Sequence, residues 1–163
     1  NVMGRVDILT GTLGKALGGA TGGYTSGRKE IIDILRQRSR PYLFSNSLAP
    51  SMAAASIKAI ELVESSPPLL QTLRENTSYF RTQLADAGFN VPVGQHPIIP
   101  IILGDAQRAK QTAAQLLEKG IYTTAFSYPV VPRDTARIRV QISAAHRKQD
   151  LDQAIQALGE ICG

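Results

Sequence analysis

The chain has 163 residues, of which 43% are hydrophobic and 19% are charged, and its formal net charge is +5. This composition is typical of a globular protein. It excludes a disordered chain and a membrane-spanning one, because no apolar run approaches the ~20 residues that cross a bilayer. The single cysteine cannot form an internal disulfide, and one cysteine with two histidines is too few for a convincing zinc site.

The first part of the chain predicts short strands and helices around a glycine-rich segment. Residues 6–9 form a short apolar run that is typical of a buried strand. Seven glycines fall between positions 11 and 27, and this density indicates tight turns or close backbone approach. The pattern then predicts a helix over 28–38, an extended segment over 42–46 and a long helix over 50–64.

The later part of the chain alternates helices and strands. A helix is predicted to end at Gly88, a strand to cover 98–103, and another helix to follow Asp105, whose side chain is suited to cap it. A short strand over 121–124 and a strictly alternating strand over 137–143 precede a last helix.

Strands interleaved with helices predict an α/β protein, with an α+β arrangement in its second half. Pro67 and Pro68 interrupt the helical pattern between the two halves. We therefore expect two domains, residues 1–66 and 67–163.

The loop after the first strand carries the most specific chemical pattern. Lys15 follows Gly14 and lies just past a strand end, where its amine is placed to form a Schiff base with a cofactor aldehyde. Hydroxyl side chains such as Thr12 and bare backbone N–H groups suit a phosphate. The nucleotide P-loop pattern fails, because no Ser or Thr follows the lysine. A plain glycine-rich turn with an exposed lysine fits the same spacing and stays open as an alternative.

The excess of positive charge does not indicate a nucleic-acid partner. Arg36, Arg38 and Arg40 form the densest basic run, but no nucleic-acid motif and no interleaved aromatic pattern accompany them. A solvated helix end explains the run, and a site for a small anionic ligand is the functional alternative.

Four stretches of the sequence carry a resemblance to a known family. Residues 4–24, 38–50, 136–139 and 143–146 closely resemble the α-oxoamine synthases, which are pyridoxal-phosphate (PLP) enzymes. The likeness covers essentially the whole chain. The stretch Phe-Ser-Asn-Ser-Leu-Ala-Pro over 44–50 favours the members that act on glycine and acetyl-coenzyme A over the aminolevulinate, aminooxononanoate and serine palmitoyl relatives.

The resemblance implies the type I fold of PLP-dependent transferases, with residues 1–66 ending the large domain and 67–163 forming the small C-terminal domain. Lys15 matches the Schiff-base lysine of the family. Thr12 matches the threonine that binds the cofactor phosphate, and Leu13 and Gly14 belong to the same cofactor loop.

The resemblance also implies shared sites and a substrate anchor. Ser45 and Asn46 match a segment that reaches the cofactor of the neighbouring subunit, so a homodimer is expected. Arg139 matches the arginine that holds the amino-acid carboxylate, and the alternation of its strand places it on the polar face. His146 is best explained as a helix-start residue, and contact with the site is the alternative.

The implied reaction joins glycine and acetyl-coenzyme A into 2-amino-3-oxobutyrate and coenzyme A, or reverses this in threonine breakdown. Another α-oxoamine synthase activity, or a silent partial chain that serves only dimerisation or folding, stays open. The family's aspartate beneath the cofactor ring has no counterpart here, and the chain starts at Asn1 directly before a strand-like segment, so we expect residues upstream. The expected location is the cytoplasm, without a nucleic-acid or membrane partner.

Overall fold

A computed structural model describes residues 2 and 4–162. The chain divides into two compact units, Asn1–Ser66 and Pro67–Gly163, and each is described by itself. No helix among the described residues is both long enough and apolar enough to cross a bilayer.

The first unit contains one β-hairpin and three helices. Strands β1 and β2 pair antiparallel, with Thr10 opposite Thr25. The elements in chain order are β1 (Ile8–Thr12), β2 (Gly23–Gly27), α1 (Lys29–Arg38), α2 (Arg40–Leu43) and α3 (Pro50–Ser65).

Two predictions for this unit are wrong. The first strand starts at Ile8 rather than at residue 6, and its apolar side chains Ile8 and Leu9 are about half exposed, at 47% and 51%, because β2 is the only strand that pairs with it within residues 2 and 4–162. The segment 42–46 is not extended, since its start belongs to the short helix α2. Pro41 lies in the first turn of α2, where a missing N–H has no cost.

The second unit is a three-stranded antiparallel sheet with three helices. The strand order is β3-β5-β4, so β5 is central. The elements in chain order are α4 (Pro67–Asp86), β3 (Ile98–Gly104), α5 (Ala106–Glu118), β4 (Thr124–Phe126), β5 (Ala136–Gln141) and α6 (Lys148–Cys162). The short strand predicted over 121–124 therefore forms later, because only residues from Thr124 onward pair with β5.

One face of this sheet and the three helices form the core of the second unit. Ile99, Ile101 and Ile138 are fully buried and belong to one cluster with Phe80 and Leu158. Burying each such side chain contributes roughly 1.5–3 kcal/mol, so the central strand is firmly held. Alternation along β5 then directs Arg137, Arg139 and Gln141 to the opposite face.

The predicted helix ends of this unit are confirmed. The Asp105 carboxylate accepts a hydrogen bond from the Arg108 backbone N–H at 2.7 Å, which caps α5. Gly120 follows that helix with a φ of +79°, and Gly88 follows α4 with a φ of +81°, both in the left-handed region that glycine adopts without strain.

Candidate cofactor and substrate sites

The loop that carries Lys15 is closed by its own backbone. The Leu13 N–H donates to the Gly22 carbonyl at 2.9 Å, and the Gly19 N–H donates to the Leu13 carbonyl at 2.8 Å. The Leu13 side chain is buried at 9% exposure, which anchors the start of the loop. The loop therefore leaves β1 and returns to β2 in a defined conformation.

The glycines of this loop permit approaches that a side chain would block. A Cβ at Gly14 would lie 2.7 Å from the Ala20 carbonyl oxygen, closer than real Cβ contacts. A Cβ at Gly19 would collide with the Ser56 hydroxyl and lie 2.9 Å from the Leu13 oxygen. Close backbone packing on both sides of Lys15 thus explains the glycines at positions 14 and 19.

Ser56 on α3 supports the loop, and the sequence did not predict this role. Its buried hydroxyl donates to the Met52 carbonyl at 2.8 Å and lies 3.5 Å from the Gly19 carbonyl. The feature of the sequence that could have indicated this role was a serine hydroxyl on the face of α3 that otherwise carries apolar side chains.

Lys15 and Thr12 both present free polar groups. Each side chain is exposed, and Lys15 forms no hydrogen bond or ion pair with any described residue. The Thr12 hydroxyl makes only a long contact of 3.4 Å with the Gly22 carbonyl. The backbone N–H groups of Gly14, Lys15 and Ala16 form no hydrogen bond within the described chain. An amine, a hydroxyl and unpaired N–H groups in one loop are the donor set that PLP requires.

Ser45 and Asn46 lie in the segment between α2 and α3. Both are exposed, and neither side chain forms a hydrogen bond with another described residue. Their implied contact with a neighbouring subunit stays a prediction.

Arg139 lies at the centre of β5 in the second unit. Its neighbours across the sheet are Pro100 on β3 and Thr124 on β4. The side chain is exposed and forms no hydrogen bond or ion pair within residues 2 and 4–162. Its guanidinium carbon lies 4.3 Å from the centroid of the Phe126 ring, a cation–π contact. The Phe126 ring therefore restrains the guanidinium of Arg139, and the N–H groups of that guanidinium stay available to a ligand.

A cavity of about 600 Å³ opens beside Arg139. The strand pairing of β4 with β5 stops at Thr124, and residues 120–123 line one side of the cavity while residues 140–143 line the other. The buried Thr123 hydroxyl has no partner among the described residues. A cavity of this size is in the range of small-molecule sites.

His146 and Asp150 also line this cavity. The His146 Nδ1 accepts a hydrogen bond from the Ser143 N–H at 3.2 Å, which assigns the ring proton to Nε2. The Asp150 carboxylate is paired with the Arg147 guanidinium at 2.9 Å, and this hydrogen bond lowers the pKa of Asp150. His146 thus lines the same cavity as Arg139, while the carboxylate of Asp150 is already occupied.

The sequence is similar to known enzymes over its whole length. It is 56% identical to 2-amino-3-ketobutyrate coenzyme A ligase of Escherichia coli (strain K12), over 99% of this chain and 40% of the relative. It is 43% identical to 8-amino-7-oxononanoate synthase of Symbiobacterium thermophilum, over 97% of this chain and 40% of the relative. The chain therefore spans about 40% of the length of these curated relatives.

The fold matches that of a solved structure of SPT with a PLP internal aldimine. The superposition has a TM-score of 0.92 at 24% identity and covers 99% of this chain and 41% of that chain. The expected α/β chain with the type I fold of PLP-dependent transferases is confirmed. The family model described as aminotransferase class I and II matches residues 1–158. The chain belongs to the aminotransferase class I and II family.

Proposed function

We propose that the full-length protein is a PLP-dependent acyltransferase that interconverts glycine plus acetyl-coenzyme A and 2-amino-3-oxobutyrate plus coenzyme A. The observation that carries the proposal is the closed loop around Lys15, with its free amine, its free Thr12 hydroxyl and its unpaired N–H groups. The identity of 56% to 2-amino-3-ketobutyrate coenzyme A ligase supports this substrate pair.

Residues of the first unit hold the cofactor in this proposal. The Lys15 amine would form the covalent link, and the Thr12 hydroxyl with the unpaired N–H groups of Gly14 and Lys15 would surround the phosphate. Bound PLP supplies an electron sink for the electron pair left on the α-carbon when a proton leaves. Once the amino group of glycine has displaced Lys15 from the cofactor, the freed Lys15 Nζ would take this proton from the α-carbon of glycine.

Arg139 of the second unit anchors the substrate. A planar guanidinium donates two parallel hydrogen bonds to one carboxylate, so it fixes glycine by its carboxylate and leaves the α-carbon free to react. The α-carbon then forms a bond with the acetyl carbonyl carbon, the carbon–sulfur bond of the thioester breaks, and the coenzyme A thiol leaves. The same residues serve the reverse cleavage, as in threonine degradation.

The proposal includes a homodimer with shared sites. Ser45 and Asn46 are exposed and free of described partners, which suits contact with the cofactor phosphate of a neighbouring subunit. It also assigns residues 1–66 to the end of the large PLP-binding domain and 67–163 to the small C-terminal domain. A cytoplasmic location stays a prediction.

A second candidate is another α-oxoamine synthase activity, which the 43% identity to 8-amino-7-oxononanoate synthase favours. The two candidates differ in the acyl group and in the amino acid, because the amino-bearing carbon of 8-amino-7-oxononanoate carries a methyl group, and one methylene changes binding by only about 1–3 kcal/mol. A comparison of glycine with alanine, each with acetyl-coenzyme A and with longer acyl thioesters, separates them. A partial chain that is silent by itself remains the third alternative, because the chain spans 40% of the relatives' length.

The first experiment traps the cofactor in the full-length protein. The protein is mixed with PLP and reduced with borohydride, and the modified peptide is identified by mass spectrometry. We expect one adduct on Lys15, and we expect Lys15→Ala to lose both the adduct and turnover by about 10²–10⁴-fold or more, since the variant lacks the proton-transferring group. Lys58→Ala is the matched control, because Lys58 is an exposed lysine paired only with Glu61. Labelling spread over many lysines, or near-normal turnover of Lys15→Ala, contradicts the proposal.

A further inference from the structure

We infer that Phe126 is a positioning residue for substrate binding, because its ring holds the Arg139 guanidinium in the orientation that receives a carboxylate. The inference rests on the proposed function and deepens it by adding a second residue to the carboxylate subsite. It starts from the contact of 4.3 Å between the guanidinium carbon and the ring centroid.

The register of the sheet produces this contact. Phe126 on β4 lies directly opposite Arg137 on β5, and Arg139 is two residues further along the same face. Diagonal neighbours of this kind lie within reach of aromatic and long side chains. Phe126 is half-buried while Arg139 is exposed, so the ring is the fixed partner and the guanidinium is the mobile one.

The neighbouring arginine does not compete for the same role. The Arg137 Nε donates to the Thr135 carbonyl at 2.9 Å, so this side chain is directed to its own backbone. Arg139 has no hydrogen-bond partner within the described chain, and the ring is the contact that restrains it. The two arginines are thus distinguished by their surroundings, because the Nε of Arg137 is occupied whereas no N–H group of Arg139 has a partner among the described residues.

Stacking on the ring leaves the hydrogen-bonding edge of the guanidinium free. The guanidinium carbon lies over the ring, and a guanidinium that stacks on an aromatic face keeps its N–H edge free to bind a carboxylate in the plane. A free arginine side chain loses considerable rotamer freedom when it binds a ligand. A guanidinium already held at its face loses less of that freedom on binding.

The charges around Arg139 favour an anionic ligand. Asp150, which lines the adjoining cavity, is paired with Arg147. The other polar groups of that cavity include Gln141, the unpartnered Thr123 hydroxyl and His146. No free carboxylate among these lining residues competes for Arg139, so the ligand's own carboxylate is its partner.

The test separates positioning from packing through a matched pair of ligands. Glycine carries the carboxylate, and glycinamide carries an uncharged carboxamide of the same shape in its place. Binding of both to the full-length, PLP-loaded enzyme is measured by calorimetry for the wild type, Phe126→Leu and Phe126→Tyr. Leucine keeps apolar bulk and removes the ring, and tyrosine keeps the ring.

We expect Phe126→Leu to weaken glycine binding by about three- to tenfold, the range that a partly exposed cation–π contact supplies. Glycinamide binding should change less than twofold, the KM for glycine should rise while kcat stays close to wild type, and Phe126→Tyr should restore the wild-type values. An equal loss for glycine and glycinamide, or no loss for either, overturns the inference. A wild type that does not prefer glycine over glycinamide contradicts the proposed function itself, so the two failures are distinguishable.

Discussion

Asn76 on α4 fixes the turn between β5 and α6, which borders the cavity beside Arg139. Its Nδ2 donates to the carbonyls of Ser143 and His146 at 3.1 and 2.9 Å, and the residue is half-buried. A hydrogen bond between neutral groups contributes about 0.5–1.5 kcal/mol net, so Asn76→Ala removes about 1–3 kcal/mol from the stability of this turn. Since each 1.4 kcal/mol is a factor of ten, local opening becomes about five- to 150-fold more frequent.

Hydrogen exchange read by mass spectrometry measures this opening in peptides that cover residues 141–151. We expect faster exchange there in Asn76→Ala, because backbone amides exchange when the turn opens locally. Gln71→Ala is the matched control, since Gln71 is an exposed amide on the same helix that bonds only Glu75. Exchange in these peptides that is the same for the two variants refutes the assignment of Asn76 as the clamp of the turn.

Two further predictions concern the cofactor loop and the pH dependence of stability. Gly14→Ala places a Cβ 2.7 Å from a backbone carbonyl oxygen, so we expect this variant to lose PLP capture, as measured by borohydride trapping. Gly18→Ala has open space at its Cβ, so we expect it to keep capture despite the strain of its φ of +79°. The hydrogen bond from Arg147 lowers the pKa of Asp150 in the folded state, so its stabilisation is present above the unfolded pKa and is lost as the pH falls through the lower folded value. Below about pH 4 we therefore expect wild-type stability in denaturant titrations to fall more steeply than that of Asp150→Asn. Equal slopes of stability against pH in the two proteins would mean that the ion pair between Arg147 and Asp150 does not contribute to stability.

The sequence predicted best the features that depend on local chemistry. The cap at Asp105 and the helix ends before Gly88 and Gly120 are set by a few neighbouring residues, and all three are confirmed. The segment 42–46 was predicted to be extended, yet its start lies in α2, because Pro41 occupies the first turn of that helix, where a proline is tolerated.

Features that depend on register could not be predicted from the sequence. The contact between Phe126 and Arg139 joins residues on two strands, and a shift by one residue would place the ring on the other face of the sheet. On α5 the apolar Leu117 is 57% exposed, whereas the polar Thr112 is buried. Periodicity gives the direction of a helix face but not its width, which the neighbouring strands determine.

The two units differ in how far they stabilise their own sites. The second unit has a continuous core, and the strand that carries Arg139 also contributes the fully buried Ile138 to it. In the first unit the two-stranded hairpin beside Lys15 is exposed on both faces, and α3 exposes Ile57 at 59% and Ile60 at 44%.

A two-stranded hairpin is only marginally stable in water without further strands or a covering layer. The hairpin that carries the lysine loop therefore gains little stability from packing within the first unit, whereas the pairing of Phe126 with Arg139 is held within the second unit. We infer that loss of packing around the first unit impairs cofactor capture before it disturbs the carboxylate subsite. Because the cofactor loop is the first to be impaired, cofactor capture must be measured on the full-length protein.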